Sequence, residues 1–298
     1  MPNESLFAEF FQGRAWNYLL RSVDLALEED GQDLTSQALF TSQDQMQAVL
    51  VAKENTLLAG LPLMEIILSR INPEPTAYAV QYLLQEGSRA EAGQEVCLVQ
   101  GQSRDILKGE RVILNFISHL SGIANLTSTF VQQLQGSKTR LLDTRKTLPG
   151  LRYPEKYAVR LAGGTNHRLH LAQMLMLKDN HLDRAGGITR AVQKLRHRYG
   201  QDCPPIEVEC RNLSEVEEAC ACSVHRIMLD NMHTEAIIQA LALIPAGIES
   251  EISGNINLER LSDLSGLGAD YVSVGCLTNS AAAVDLSLRT NLKAGDAS

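Results

Sequence analysis

The chain has 298 residues and a formal net charge of −8, long enough for one large domain or two modest ones around a substantial core. The acidic balance, a single Trp and scattered aromatics exclude the broad basic face and stacking platforms of a nucleic-acid surface, and no signal peptide or apolar run of membrane-spanning length is present. Six cysteines (Cys97, Cys203, Cys210, Cys220, Cys222, Cys276) form no CxxC pair, which fits a reducing cytoplasm and a fold that needs no disulfide.

In chain order, Trp16, Leu19, Leu20, Val23 and Leu27 recur at three- and four-residue spacing and predict an amphipathic helix over 14–28. MQAVLVAK (46–53), TLLAG (56–60), AYAVQYLL (77–84) and EVCLVQG (95–101) read as strands, with Pro73 and Pro75 ending the helical LMEIILSRIN between them. Ser103 can cap a helix running to about 120, and Ser121-Gly122 predicts a bend before a second segment to about 135. Strands grouped ahead of a long helix indicate an α+β unit.

From Thr139 the texture becomes a regular alternation. Strands at 139–143, 174–177, 206–210, 226–229, 248–252 and 270–274 are separated by helices at 155–162, 187–198, 214–222, 234–243 and 257–265, one with a Ser214/Glu217 capping-box pattern. Asp143, Lys178, Glu209, Asp230, Ser253 and Gly275 each fall at or just beyond the carboxyl end of a different strand. In a β/α barrel those ends converge on one mouth, whereas a doubly wound sheet concentrates its site at a single crevice, so a barrel of six to seven strands is expected. AVDLSL (283–288) alternates like a strand and is expected to return to the first sheet. The predicted organisation is an N-terminal α+β sandwich domain over 1–125 joined by 280–298, and an incomplete barrel over 126–279.

One stretch concentrates charge against the background of the whole chain. Asp143 to His181 holds Arg145, Lys146, Arg152, Lys156, Arg160, His167, Arg168 and Lys178, interrupted by Gly150, Gly163 and Gly164. A basic cluster on an acidic protein marks an anion site, and glycines let backbone amides approach the guest, so phosphate or carboxylate is expected. Charge runs are commonly solvated helix faces, but these follow strand-like LLD and MLML without helical spacing. Cys210, Cys220, Cys222 and His225 do not suggest zinc, because Cys210 lies in the strand-like IEVEC and Cys220 and Cys222 diverge on a helix.

DTRKTLPGLRYPEKYAVR, GGTNHR and LKDNH, in that order, resemble the signature of the quinolinate phosphoribosyltransferases. Further matches are LVAKENTLLAGL (50–61), KGERVILNFISHLSGIA (108–124), IEVEC (206–210), IMLDNM (227–232), ISGNI (252–256) and VSVGCLTNSAAAVDLSL (272–288). The resemblance implies transfer of the phosphoribosyl group of 5-phosphoribosyl 1-diphosphate to quinolinate with decarboxylation, giving nicotinate mononucleotide, diphosphate and CO2 for NAD synthesis. It assigns quinolinate to Arg145, His167, Arg168 and Lys178, with Arg111 reaching the site of a neighbouring subunit in a homodimer; assembly beyond the dimer is left open. It assigns Lys146, Glu209 and Asp230 to the diphosphate substrate and Mg2+ to Glu209 and Asp230, while Ser253-Gly254-Asn255 and Gly275, at the ends of the last two barrel strands, match the usual place of a barrel phosphate site. Lys178, Glu209 and Asp230 are the implied catalytic groups, acting by charge stabilisation and not by covalent bonding. Glu207 shares a strand face with Glu209, and spacing leaves open which of the two dominates. The chain departs from the family at Ala162, where a first glycine is common, at Asn279, a frequent His, and in a short EDGQDLT segment. A paralogue associated with molybdate transport genes or a nicotinate-specific enzyme would need fewer cations than this chain keeps. A non-catalytic barrel that senses a phosphorylated metabolite could dispense with Glu209 and Asp230, and both are present.

Overall fold

A computed structural model describes residues 2–290. Helices α1 (Pro2–Phe10), α2 (Gly13–Asp30) and α3 (Leu34–Leu39) precede β1 (Gln45–Ala52). Then come β2 (Thr56–Leu57), α4 (Leu63–Ile71), β3 (Tyr78–Tyr82), β4 (Arg89–Ala90), β5 (Glu95–Gln102) and α5 (Ser103–Gln133). The alternating part runs β6 (Arg140–Leu142), α6 (Arg152–Leu161), β7 (Leu175–Leu177), α7 (Asp179–Ala185), α8 (Ile188–Tyr199), β8 (Ile206–Cys210) and α9 (Leu213–Ala221). It continues through β9 (Arg226–Asp230), α10 (Thr234–Leu243), β10 (Glu249–Ser253), α11 (Leu258–Leu264), β11 (Tyr271–Ser273) and α12 (Cys276–Asn279) to β12 (Leu286–Thr290). Among the described residues no helix is long and apolar enough to cross a membrane, and all six cysteines are free.

The chain divides into two compact units: 1–127 with 148–162 and 280–298, and 128–147 with 163–279. The first unit holds a four-stranded antiparallel sheet in the order β12-β1-β5-β3, so the strand expected from AVDLSL does pair with β1, from Leu286 onward; residues 291–298 lie outside the described residues. β1 buries Ala48 to Ala52 on both faces, as its apolar QMQAVLVA run requires.

Two expectations are corrected in this unit. The helix does not divide into two segments at Gly122: α5 is continuous over 31 residues. Gly122 serves a close approach instead, since a Cβ there would lie 2.0 Å from the Ala282 carbonyl oxygen. And 148–162, expected in the barrel, groups with the first unit because α6 carries an aromatic face. Tyr157 meets Phe7 and Phe11, each with ring centroids 5.2 Å apart, and Tyr153 stacks on Tyr18 at 5.3 Å. His119 on α5 lies 2.9 Å from the buried Glu155 carboxylate, and Tyr157 donates its hydroxyl to buried Glu86.

The second unit is a parallel sheet of six strands in the order β6-β11-β10-β9-β8-β7. A parallel bridge between Leu142 and Thr165 starts a seventh on the free edge of β6, which agrees with an incomplete six- to seven-stranded barrel. Period-two alternation is clearest in β8, where Ile206, Val208 and Cys210 are buried on one face and Glu207 and Glu209 share the other. The cap of helix α9 lies two residues ahead of the expected one: Asn212, not Ser214, accepts the Glu215 amide at 3.0 Å.

Candidate active site

The sheet of the second unit is parallel throughout, so the carboxyl ends of its strands lie on one side. That side carries Asp143 to Lys146 after β6, Lys178 after β7, Glu209 in β8, Asp230 ending β9, Ser253-Gly254-Asn255 at β10 and Gly275 after β11. These predicted residues are thereby brought to one end of one sheet. Arg111 is in the other unit, exposed on α5. Of the remaining basic residues, Arg152, Lys156 and Arg160 are on α6, which groups with the first unit. There Lys156 is fully buried and Arg160 pairs with Glu9 at 2.7 Å.

On the cationic side, Arg168 donates Nη1 to the Met174 carbonyl at 2.8 Å. Burial, and next the charge of Arg145, push its pKa below the usual guanidinium range. Two guanidiniums close enough to repel in a half-buried setting are what a dianionic guest would relieve. Lys178 Nζ lies 2.6 Å from Glu209 Oε2, with the lysine side chain 46% exposed and the glutamate 13%. A pair this exposed contributes about 1 kcal/mol or less and can exchange partners readily.

The loops after β9 and β10 are tied together. The Asn231 amide, at φ 53°, donates to the Ser253 carbonyl at 3.0 Å, and its side chain donates to Asp230 Oδ2 at 2.8 Å and accepts from Asn255 at 3.2 Å. Gly254, at φ 101°, leaves no room for a Cβ, which would stand 2.3 Å from Asn231 Oδ1. Arg260 bridges the Gly254 and Met232 carbonyls at 3.1 and 2.8 Å. At β11, Gly275 lies under Lys146, whose Cδ is 3.0 Å from where a Cβ would be, and the Lys146 carbonyl accepts the Thr278 hydroxyl at 2.8 Å. The Lys146 side chain thus packs directly beside the Gly275 backbone.

His167, expected among the groups that contact substrate, is 5% exposed. Nδ1 accepts the Arg168 amide at 2.8 Å, while Nε2 lies 3.1 Å from Glu207 and 3.5 Å from Glu251, distances of charge contact without hydrogen-bond alignment. His167, Glu207 and Glu251 have metal-ligand spacing, but Arg226 Nη1 already stands 3.2 Å from Glu251 as its cation. Burial pushes the Glu251 carboxyl up to about 8, with the nearby Glu207 carboxylate adding to it. Glu251 and Arg226 were not singled out from the sequence. The available signal was that ESEIS repeats the alternation of IEVEC, placing Glu251 two residues before Ser253 as Glu207 stands two before Glu209. Beneath them Arg226 pairs with Glu249 at 2.7 Å, and Arg140 and Arg226 flank the Tyr271 ring at 4.4 and 4.2 Å. Ala162 adopts φ −84°, ψ 10°, open to any L-residue, so its replacement of a glycine imposes no strain.

Comparison with known proteins adds independent information. Residues 123–289 match the model of the quinolinate phosphoribosyl transferase C-terminal domain, and 33–121 that of the N-terminal domain. A probable nicotinate-nucleotide pyrophosphorylase [carboxylating] from Synechocystis sp. is 44% identical over 250 residues, covering 83% of each chain. A protein of the same description from Bacillus subtilis is 39% identical over 262 residues, covering 87% of this chain and 88% of its own. Crystalline NadC from Streptococcus pyogenes superposes with a TM-score of 0.84 at 40% identity, over 90% of this chain and 94% of that one.

Proposed function

The chain belongs to the quinolinate phosphoribosyltransferase family and transfers phosphoribosyl from 5-phosphoribosyl 1-diphosphate to quinolinate with loss of carbon dioxide, and from that premise we propose how its residues divide the work. Arg145, Arg168 and Lys178 hold the two quinolinate carboxylates. The observation that carries this is their place at the carboxyl end of one parallel sheet, where burial first and the charge of Arg145 next disfavour the Arg168 cation, a cost that an anion relieves. Lys146, Gly275 and the Ser253-Gly254-Asn255 loop hold the phosphates of the second substrate. Support comes from the two glycines, which let Asn231 and Lys146 pack closely where a Cβ would intrude and so set the loops at the carboxyl ends of β10 and β11.

Glu209 and Asp230, on adjacent strands, face the ribose and are the oxygen donors for Mg2+. Their hard carboxylate oxygens suit that ion, whereas the sealed His167/Glu207/Glu251 group does not. Bound there with the diphosphate, Mg2+ would supply charge neutralisation to the leaving group. The pyridine nitrogen attacks ribose C1 as diphosphate departs, and the two carboxylates offset positive charge developing at C1. Arrival of quinolinate exchanges the exposed Lys178–Glu209 pair: Lys178 turns to a substrate carboxylate and Glu209 is released to the ribose hydroxyls. The 2-carboxylate then leaves as CO2, a proton takes its place, and the pyridinium nitrogen accommodates the intervening carbanion.

The site is completed by Arg111 of a second copy in a two-fold dimer. In support, Arg111 is exposed on α5, and an apolar groove lined by Tyr18, Leu25, Phe116 and Leu151 runs along α2 and α5. The free thiols fit a cytoplasmic enzyme. Arg111→Ala and Lys178→Ala should each be inactive; after co-refolding, about half the dimers are mixed and carry one intact site of two, so about a quarter of wild-type activity returns. No recovery with verified subunit exchange would show that Arg111 does not act across an interface.

A further inference from the structure

The imidazole of His167 is held in one protonation state by its surroundings. Its Nδ1 accepts the Arg168 backbone N–H at 2.8 Å, so Nδ1 carries no hydrogen. A neutral ring has one N–H, which is then on Nε2, and Nε2 faces Glu207 at 3.1 Å and Glu251 at 3.5 Å, acceptors that reward a hydrogen there. Both carboxylates are fully buried, so this end of the ring looks into the interior of the unit.

The backbone around the ring is pinned with equal care. Thr165 N–H donates to the Leu141 carbonyl at 2.8 Å. Asp143, wholly buried, accepts the His167 N–H at 2.8 Å and the Asn166 side-chain amide at 2.7 Å. The Arg168 N–H comes next, and its acceptor is the preceding imidazole. From that point the Arg168 side chain reaches the Met174 carbonyl and Met176 Sδ. A buried backbone N–H needs an acceptor, and at this place it is a side chain, not a strand partner, that supplies one.

We propose that His167 is a positioning residue: as a neutral imidazole with its hydrogen on Nε2, on the side of the ring that Glu207 and Glu251 approach, it fixes the backbone of Arg168 and thereby the guanidinium that meets quinolinate, without touching substrate itself. This rests on the assignment of Arg168 to quinolinate, and the tests separate the two ideas. The amide oxygen of Asn occupies the place of Nδ1, whereas that of Gln reproduces Nε2. His167→Asn therefore keeps kcat/KM for quinolinate within about threefold, while His167→Gln and His167→Ala lose about 100-fold, the scale of a misplacement of about 1 Å. In all three the KM for 5-phosphoribosyl 1-diphosphate stays near wild type. A His167 that binds substrate through Nε2 gives the opposite order, Gln retained and Asn lost, and that order overturns the proposal.

In an Arg168→Ala background, adding His167→Ala costs nothing further, because the first change has removed what the second positions; multiplied losses overturn it. If Arg168→Ala alone binds quinolinate as wild type does, the assignment of Arg168 fails, and the tautomer must be judged separately. That measurement is made on wild-type protein labelled with 15N-histidine. The expected spectrum shows His167 with a bare Nδ1 and a protonated Nε2, unchanged on saturation with quinolinate. A hydrogen on Nδ1, a doubly protonated ring, or an Nε2 signal that moves with quinolinate refutes the proposal even if every variant fails to fold.

Discussion

Replacing Gly254 by Ala should damage the site for one substrate and spare the other. The residue sits at φ 101°, and an added Cβ would lie 2.3 Å from Asn231 Oδ1, 2.5 Å from its Cγ and 2.8 Å from its backbone nitrogen. The side chain of Asn231 cannot simply rotate away, since it donates to Asp230 and accepts from Asn255, and its backbone nitrogen is tied to the Ser253 carbonyl. Backbone strain at such a φ costs about 1–3 kcal/mol and overpacking about as much again, so a loss of about 2–6 kcal/mol in unfolding free energy is expected, less whatever the loop recovers by moving. Any movement carries Asp230 with it. Urea unfolding should show the stability loss, and initial rates should show a rise of about tenfold or more in KM for 5-phosphoribosyl 1-diphosphate, with quinolinate affinity changed less than threefold. Stability within about 0.5 kcal/mol of wild type and an unchanged KM would refute the idea that this contact sets the ends of β9 and β10.

Gly122→Ala reverses the usual rule that alanine strengthens a helix interior by about 1 kcal/mol. Its Cβ would collide with the Ala282 carbonyl oxygen at 2.0 Å, so a loss of about 2 kcal/mol or more is expected in urea unfolding, and a gain would contradict the packing described. Glu86 is buried, and burial pushes its carboxyl up to about 7 although Gly60 N–H, Leu61 N–H and the Tyr157 hydroxyl all donate to it. A raised carboxyl contributes stability fully present below its unfolded value near 4.5 and lost as pH rises through about 7, up to about 3 kcal/mol across that window. Glu86→Gln cannot ionise, so the stability advantage of wild type over the variant should be greatest near pH 4.5 and shrink by pH 8, and a constant difference would count against it.

The barrel was legible because strands and helices alternate regularly and polar residues fall at the carboxyl ends of the strands. IEVEC and RIMLD show their polar ends without help from tertiary structure. Gly122 was misread because glycine in a helix signals either a bend or a close neighbour, and the neighbour, Ala282, is 160 residues away in sequence. Lys156 and Arg160 looked like part of one anion cluster; contacts distant in sequence, among them the aromatic ones of Tyr153 and Tyr157, reveal that α6 belongs with the first unit. His167 shows a limit of another kind. Its place beside Arg168 was plain, but the direction of its ring depends on Glu207 and Glu251, which converge from two other strands.

The central claim is that phosphoribosyl transfer and decarboxylation are coupled at one site. Quinolinate labelled in its 2-carboxylate, incubated with the protein, 5-phosphoribosyl 1-diphosphate and Mg2+, should release one labelled CO2 for each nicotinate mononucleotide formed, and none when the diphosphate substrate is omitted. Release of label without that substrate, or nucleotide formed from nicotinate while quinolinate is left untouched, would contradict it.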